Sequence, residues 1–234
     1  MENSLKQKYR AVWETTLRNK QLTSDDVSGS KFFFEFNSDG TPVPKHFNTY
    51  GIVCCLPFPE FFQKILDDYC KKILTLVGNP VAYCVKPENK HVEIFLFQRP
   101  EELFSHKQIQ DGIKSSLFLG KNITSFKIYF CYPFITPDGT IVVPGFEDKA
   151  VIEEFRLKLR EKLFAYPKKQ SQWLHTSLGR ILEPLDENRM APLLHDMEAH
   201  WGEVIGEVTV NSLLWTWEKQ WYMVEKEILA TLKI

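Results

Sequence analysis

Two segments of this chain, 84 residues apart, share a pattern that fits one backbone geometry: His91-Val92-Glu93-Ile94 and His175-Thr176-Ser177-Leu178. Side chains at i and i+2 of an extended strand project to the same face. His91 and Glu93 are therefore expected on one face, with Val92, Ile94 and Leu96 on the other, and His175 and Ser177 share a face in the same way. A fold that uses both segments must provide two strands, each with a polar and an apolar side.

The rest of the chain allows such a fold without external support. At 234 residues and 44% apolar composition it can bury a sizeable core as one large domain or two intimate lobes. The net charge is -1 and the basic residues are scattered, which argues against a broad electrostatic footprint for nucleic acid. Cys54, Cys55, Cys70, Cys84 and Cys131 form no C-x-x-C pair and fall mostly in apolar segments; they read as reduced core residues, and their odd number disfavours an extracellular disulfide framework. The polar N-terminus lacks a signal-peptide core, and no apolar run is long enough to span a bilayer. The expectation is a soluble, cytoplasmic protein.

Apolar spacing predicts helices over residues 4–19 (Leu5, Tyr9, Val12, Trp13 and Leu17 on one face), 60–77, 100–117, 147–165 and 187–201. Residues 20–30 read as a polar loop, so that 1–30 form an N-terminal helix and linker ahead of a domain over 31–234. Strands are predicted at 50–56, 81–86, 91–97, 123–135, 141–143 and 173–182, with two closing strands at 203–217 and 221–232. Each half thus runs strand, helix, then a strand starting with a histidine. This is consistent with two lobes facing each other across a groove.

The two histidine motifs, their strand context, and the stretch Asp39-Gly40-Thr41-Pro42-Val43-Pro44 followed by Asn48-Thr49 and Gly51-Ile52-Val53-Cys54-Cys55-Leu56-Pro57 resemble the two-histidine (2H) phosphoesterase superfamily. Its signature is two H-Φ-[S/T]-Φ motifs, with Φ apolar, and its members include RNA 2′,3′-cyclic phosphodiesterases and 2′-5′ RNA ligase-like proteins. The resemblance implies an α+β, bilobal fold with two antiparallel sheets lining a central cleft and helices packed outside. It implies His91 and His175 as a general acid–base pair, a task that suits imidazole because its ordinary pKa is about 6.5. Ser177 is implied as a ligand for a non-bridging phosphate oxygen, with no metal and no cofactor. The expected partner is a small nucleotide or RNA end, bound by a monomer away from any membrane.

Two departures stand out. Thr176 is polar where the motif has an apolar residue, and Glu93 replaces the hydroxyl of the first motif. An ionised carboxylate cannot donate a hydrogen bond to phosphate and repels it, unless burial keeps it protonated. Glu93 could instead orient His91 or contact a ribose hydroxyl, or it could mark a non-catalytic nucleotide- or protein-binding domain on the same fold. Lys90 and Arg180 lie near the motifs, but strict alternation puts Arg180 on the face opposite His175. His46, His106, His195 and His200 read as surface residues. Gly120-Lys121-Asn122 lacks P-loop spacing, and the Trp215, Trp217 and Trp221 group reads as packing.

Overall fold

The computed structural model describes residues 2–147 and 149–234, with side chains from Tyr9 onward. Leu5, assigned above to a helix face, and Asp148 lie outside what can be described of side chains. The first half contains α1 (Glu2–Asn19), α2 (Ser24–Lys31), β1 (Phe34–Phe36), β2 (Pro42–Pro44), β3 (His46–Cys54), α3 (Glu60–Leu76), β4 (Ala82–Cys84) and β5 (Val92–Gln98). The second contains α4 (His106–Gly120), β6 (Phe126–Cys131), β7 (Phe134–Ile135), β8 (Thr140–Glu147), α5 (Val151–Lys162), β9 (Leu174–Ile181), α6 (Glu187–Ala199), β10 (Val204–Val210), β11 (Ser212–Gln220) and β12 (Lys226–Lys233).

Two antiparallel sheets form the body. One has the order β12-β11-β3-β5; the other runs β10-β6-β8-β9-β4, with β7 paired to β8. Helices α4 and α5 pack on the first sheet through β5, and α3 packs on the second through β9, with α6 beside α3. Local chemistry explains these elements. The buried face of α3 carries Phe62, Leu66, Cys70 and Ile73 at helical spacing. In the first sheet Trp215 is fully buried, and its indole nitrogen donates to Ser116 Oγ at 2.7 Å, so its polar group is satisfied where its ring fills the core.

Several expectations were overturned. Within the segment 20–30 expected as loop, a helix over residues 24–31 begins instead, because Thr23 and Asp26 make a capping box, each side chain meeting the other's backbone amide. The run 123–135 breaks into β6 and β7. The first closing strand splits at Asn211, where the chain passes from one sheet to the other. The consecutive strands β4 and β5 lie in different sheets: β4 pairs with β9 and β5 with β3. Each lobe is therefore assembled from both halves of the sequence. Cys84 is exposed rather than in the core, with its sulfur 3.4 Å from that of Cys70.

The N-terminal helix is tied to the second sheet. The Thr16 hydroxyl donates to the Ile135 carbonyl at 2.8 Å, the Tyr9 hydroxyl meets the carbonyls of Gly145 and Leu174, and Trp13 stacks on Trp201 at 5.3 Å. Ala11 and Val12 reach the cleft between the sheets. Among the described residues no helix is long and apolar enough to cross a membrane.

Candidate active site

The two motif strands meet where the sheets adjoin, β5 at the edge of the first and β9 inside the second. Each carries one extra residue at the same place. Val53 pairs with Glu93 and Ile52 with Phe95, so Ile94 is skipped; Val142 pairs with Ser177 and Ile141 with Gly179, so Leu178 is skipped. Both are fourth residues of their motifs. A bulge of this kind resets the alternation and re-aims the side chains beyond it.

Two sequence expectations change as a result. Leu96 joins His91 and Glu93 in lining a small cavity instead of pointing away from them, and Arg180 returns to the cleft with His175 and Ser177. Gly179 allows the second bulge: a Cβ there would come within 2.4 Å of the Tyr83 carbonyl oxygen.

The cleft has a volume of about 670 Å³, and His91, Glu93, His175 and Ser177 all line it. That size lies within the range of roughly 300–1,000 Å³ usual for small-molecule sites. His91 Nδ1 lies 2.8 Å from the Asn89 carbonyl, which fixes the proton of a neutral ring on Nδ1 and leaves Nε2 to accept one. Burial pushes the His91 pKa below the ordinary imidazole value, and Lys226 adds to the push against the Asn89 carbonyl. His175 stacks on Trp173 at 4.6 Å, and its Nδ1 is buried beside the Trp173 carbonyl without a hydrogen bond of normal geometry. Burial, then the charges of Arg156 and His91, lowers the His175 pKa to about 4. Both rings are thus neutral near pH 7 in the absence of an anion.

The first-sheet side of the cleft carries two carboxyls, Glu93 and Glu218. Burial raises the Glu93 pKa, opposed by Arg99 and Arg156. Glu218, from β11, is pushed up to about 7 by burial and by Glu93, against the backbone amide of Met223, which donates to its Oε1 at 2.9 Å. Glu93, Glu218 and Thr49 share the small cavity beside His91.

Arg156 joins the two motif strands. From α5 it is 6% exposed and donates to the carbonyls of Ile94 at 2.7 Å, Glu93 at 3.0 Å and Trp173 at 3.3 Å. Its guanidinium therefore bridges the backbone of the first motif to the residue entering the second. Arg156 was not singled out from the sequence, although it falls in the inward row with Ile152, Leu159 and Leu163. Glu218 was missed too; its signal is the polar alternation Thr216, Glu218, Gln220 following the apolar run Leu213-Leu214-Trp215.

Other candidates separate. Lys90 lines the cleft but pairs with Asp67 of α3. His46, His106 and His195 are exposed, and His200 stacks on Tyr132 at 4.7 Å. Trp215 is core, Trp217 stacks on Tyr50, and Trp221 lines the cleft. Among the described residues no three His, Cys, Asp or Glu side chains converge as ligands for a metal ion.

No family model and no curated protein sequence matches the chain. Solved structures do. TT0787 of Thermus thermophilus superposes with a TM-score of 0.56 at 12% identity, covering 79% of this chain and 97% of that one. Escherichia coli LigT in complex with 3′-AMP gives a TM-score of 0.51 at 10% identity over 80% and 98% of the two chains, and LigT in complex with phosphate gives 0.50 at 11% over 81% and 99%. At this identity the likeness is one of fold. That fold is the α+β, bilobal 2H phosphoesterase-like architecture that the two histidine motifs implied.

Proposed function

We propose that this protein is a metal-independent phosphodiesterase acting on a small nucleotide or RNA terminus with a 2′,3′-cyclic or 2′-5′ linkage. One observation carries the reading: the two histidines, from motifs far apart in sequence, line one cleft together with Ser177 and Glu93. In this mechanism His91 takes a proton at Nε2 from water or a ribose hydroxyl, because its Nδ1 proton is held toward Asn89. His175 gives a proton to the leaving oxygen. A bound phosphate supplies what the low His175 pKa lacks, since a neighbouring anion favours the imidazolium. The half-buried Ser177 hydroxyl, in the wall of the cleft, donates to a non-bridging oxygen. Glu93 donates beside it while protonated, a state that burial favours. That LigT was solved with phosphate and with 3′-AMP supports a nucleotide-sized ligand for a cleft of this fold.

A second reading, a nucleotide- or protein-binding domain without turnover, is favoured by the carboxylate of Glu93 at a hydroxyl position. Hydrolysis of 2′,3′-cyclic nucleotides and 2′-5′ dinucleotides, with and without EDTA, separates the two. Turnover that persists in EDTA is expected. Activity lost on chelation and restored by a divalent ion contradicts the mechanism, and binding without any turnover favours the second reading.

A further inference from the structure

Four buried donor atoms at one end of the cleft make no hydrogen bond of normal geometry: Arg180 Nε, the Trp221 ring nitrogen and the hydroxyls of Tyr222 and Tyr83. They are neighbours. Tyr222 lies 5.3 Å from Tyr83 and 5.9 Å from Trp221, ring to ring, and its hydroxyl is close to both Arg180 and the Trp221 ring nitrogen. Trp221 stacks on Phe33 at 4.6 Å, and the Arg180 guanidinium sits 5.7 Å from the same ring. Arg180, Trp221 and Tyr222 line the cleft wall; Tyr83 stands behind Tyr222.

Native structures pair nearly all buried polar groups, so a cluster of unpaired ones at a cleft asks for a partner from outside. The backbone also carries strain here. Tyr222 and Met223 have φ of 60° and 56°, in the left-handed region that bulky residues avoid, and the turn is held there by Glu218 and by the Lys45 carbonyl, which accepts from the Trp221 amide at 2.9 Å.

The groups themselves define the chemistry of the missing partner. Guanidinium and indole nitrogens only donate, so the partner accepts; beside a guanidinium, an anion is preferred. Asp138 does not fill the role. Its Oδ2 stands 3.6 Å from Arg180 Nη2, its Oδ1 is engaged by the hydroxyls of Thr136 at 2.5 Å and Thr140 at 2.9 Å, and Arg180 Nε stays unpaired. The bulge at Leu178 makes Ser177 and Arg180 successive residues on the cleft face of β9, no more than about 10 Å apart along the chain. Two phosphates of one nucleotide chain can then be met by one strand.

We propose that Arg180, Trp221 and Tyr222 form a second phosphate subsite. The substrate is then a nucleotide or RNA end carrying a further phosphate beyond the one at His91 and His175, in preference to a cyclic mononucleotide. This rests on the phosphodiesterase reading for the identity of the first phosphate. The shared chemistry is an acceptor-only anion, either a terminal monoester or an internal diester.

Calorimetric titration of the whole protein with adenosine 3′-monophosphate, adenosine 3′,5′-bisphosphate and a 3′-phosphorylated dinucleotide tests it. At least one of the two ligands with an added phosphate should bind roughly tenfold tighter than the monophosphate, the gain expected of a charge-assisted hydrogen bond. A gain for the bisphosphate points to a terminal monoester, and a gain for the dinucleotide to an internal diester. Arg180→Gln and, as a milder change that keeps the ring, Trp221→Phe should each bring the ratio to within about twofold. Equal affinity for all three ligands overturns the subsite, as does binding of none. A ratio that survives both variants overturns it too, including the case in which all ligands weaken equally because the aromatic wall recognises the base. Turnover is not part of this readout. A bisphosphate preference without hydrolysis of any diester keeps the subsite and ends the enzymatic reading, whereas hydrolysis of cyclic mononucleotides without the preference does the reverse.

Discussion

In β5 the residue two places after the histidine is Glu93, and the next one facing the site, beyond the bulge, is Leu96; in β9 the same two places hold Ser177 and Arg180. The backbone device is shared, with one skipped residue at the fourth motif position of each strand, and the side chains it presents are opposite in kind. The β9 side offers a hydroxyl and a guanidinium, both donors. The β5 side offers a carboxyl and an aliphatic group, with Glu218 beside them. The same backbone geometry can thus present different chemistry in the two strands, because a bulge dictates direction and not residue type. The electrostatic burden differs too: desolvation favours a neutral histidine on both sides, and on the β5 side it also favours the neutral form of two carboxyls.

The largest test of this comparison removes each histidine. His91→Ala and His175→Ala should each lower kcat by roughly 10²–10⁴-fold on a cyclic or 2′-5′ substrate, the usual value of a positioned acid or base. An active protein indifferent to both substitutions removes the pair from the mechanism.

Next comes pH, where the two sides should pull in opposite directions. The Glu218 pKa is raised, so its favourable contribution to stability is complete below its unfolded value of about 4.5 and is lost as pH rises through about 7. That shift corresponds to roughly 3 kcal/mol. The His175 pKa is depressed, so its contribution is present above about 6.5 and is lost as pH falls through about 4. Denaturant melts from pH 4 to 8 should show Glu218→Gln flattening the alkaline loss and leaving the acid limb in place. A variant with the wild-type alkaline slope would show that Glu218 is not the buried acid responsible.

The two glycines that accommodate close strand approach should differ in cost. A Cβ on Gly179 meets the Tyr83 carbonyl oxygen at 2.4 Å, a backbone atom that cannot yield without moving β4. A Cβ on Gly51 meets the Leu96 side chain at 2.9 Å and the Phe95 carbonyl oxygen at 3.0 Å, and the first of these can shift. Gly179→Ala should cost about 3 kcal/mol and Gly51→Ala about 1 kcal/mol, within the range for overpacking. Equal losses in thermal or denaturant unfolding would mean that the two bulged strands are equally compliant.

The smallest effect makes the motifs alike. Glu93→Thr should raise kcat/KM about tenfold at the alkaline end of the pH profile, where an ionised carboxyl repels phosphate, and raise it less at the acid end, since burial favours the protonated carboxyl. A fall at both ends would mean that Glu93 has an adapted task on the true substrate.

Sequence alone determined the parts that depend on near neighbours. Alternation placed His91 with Glu93 and His175 with Ser177, because i and i+2 share a face in any strand. The spacing of Phe62, Leu66, Cys70 and Ile73 settled a helix, and the two motifs together implied the fold class. The capping box of Thr23 and Asp26 is likewise a local signal, carried by two residues three apart. What tertiary structure decided depends on partners distant in the chain. Whether a strand bulges is set by register against another strand, so the return of Arg180 and Leu96 to the site could not be read from β9 or β5 alone. Which sheet receives β4, β10 or β11 depends on which edge is open, and local pattern carries no such information. Arg156 occupies an inward row of α5, yet only the meeting of β5 with the segment before β9 supplies the three carbonyls that make a buried guanidinium tolerable.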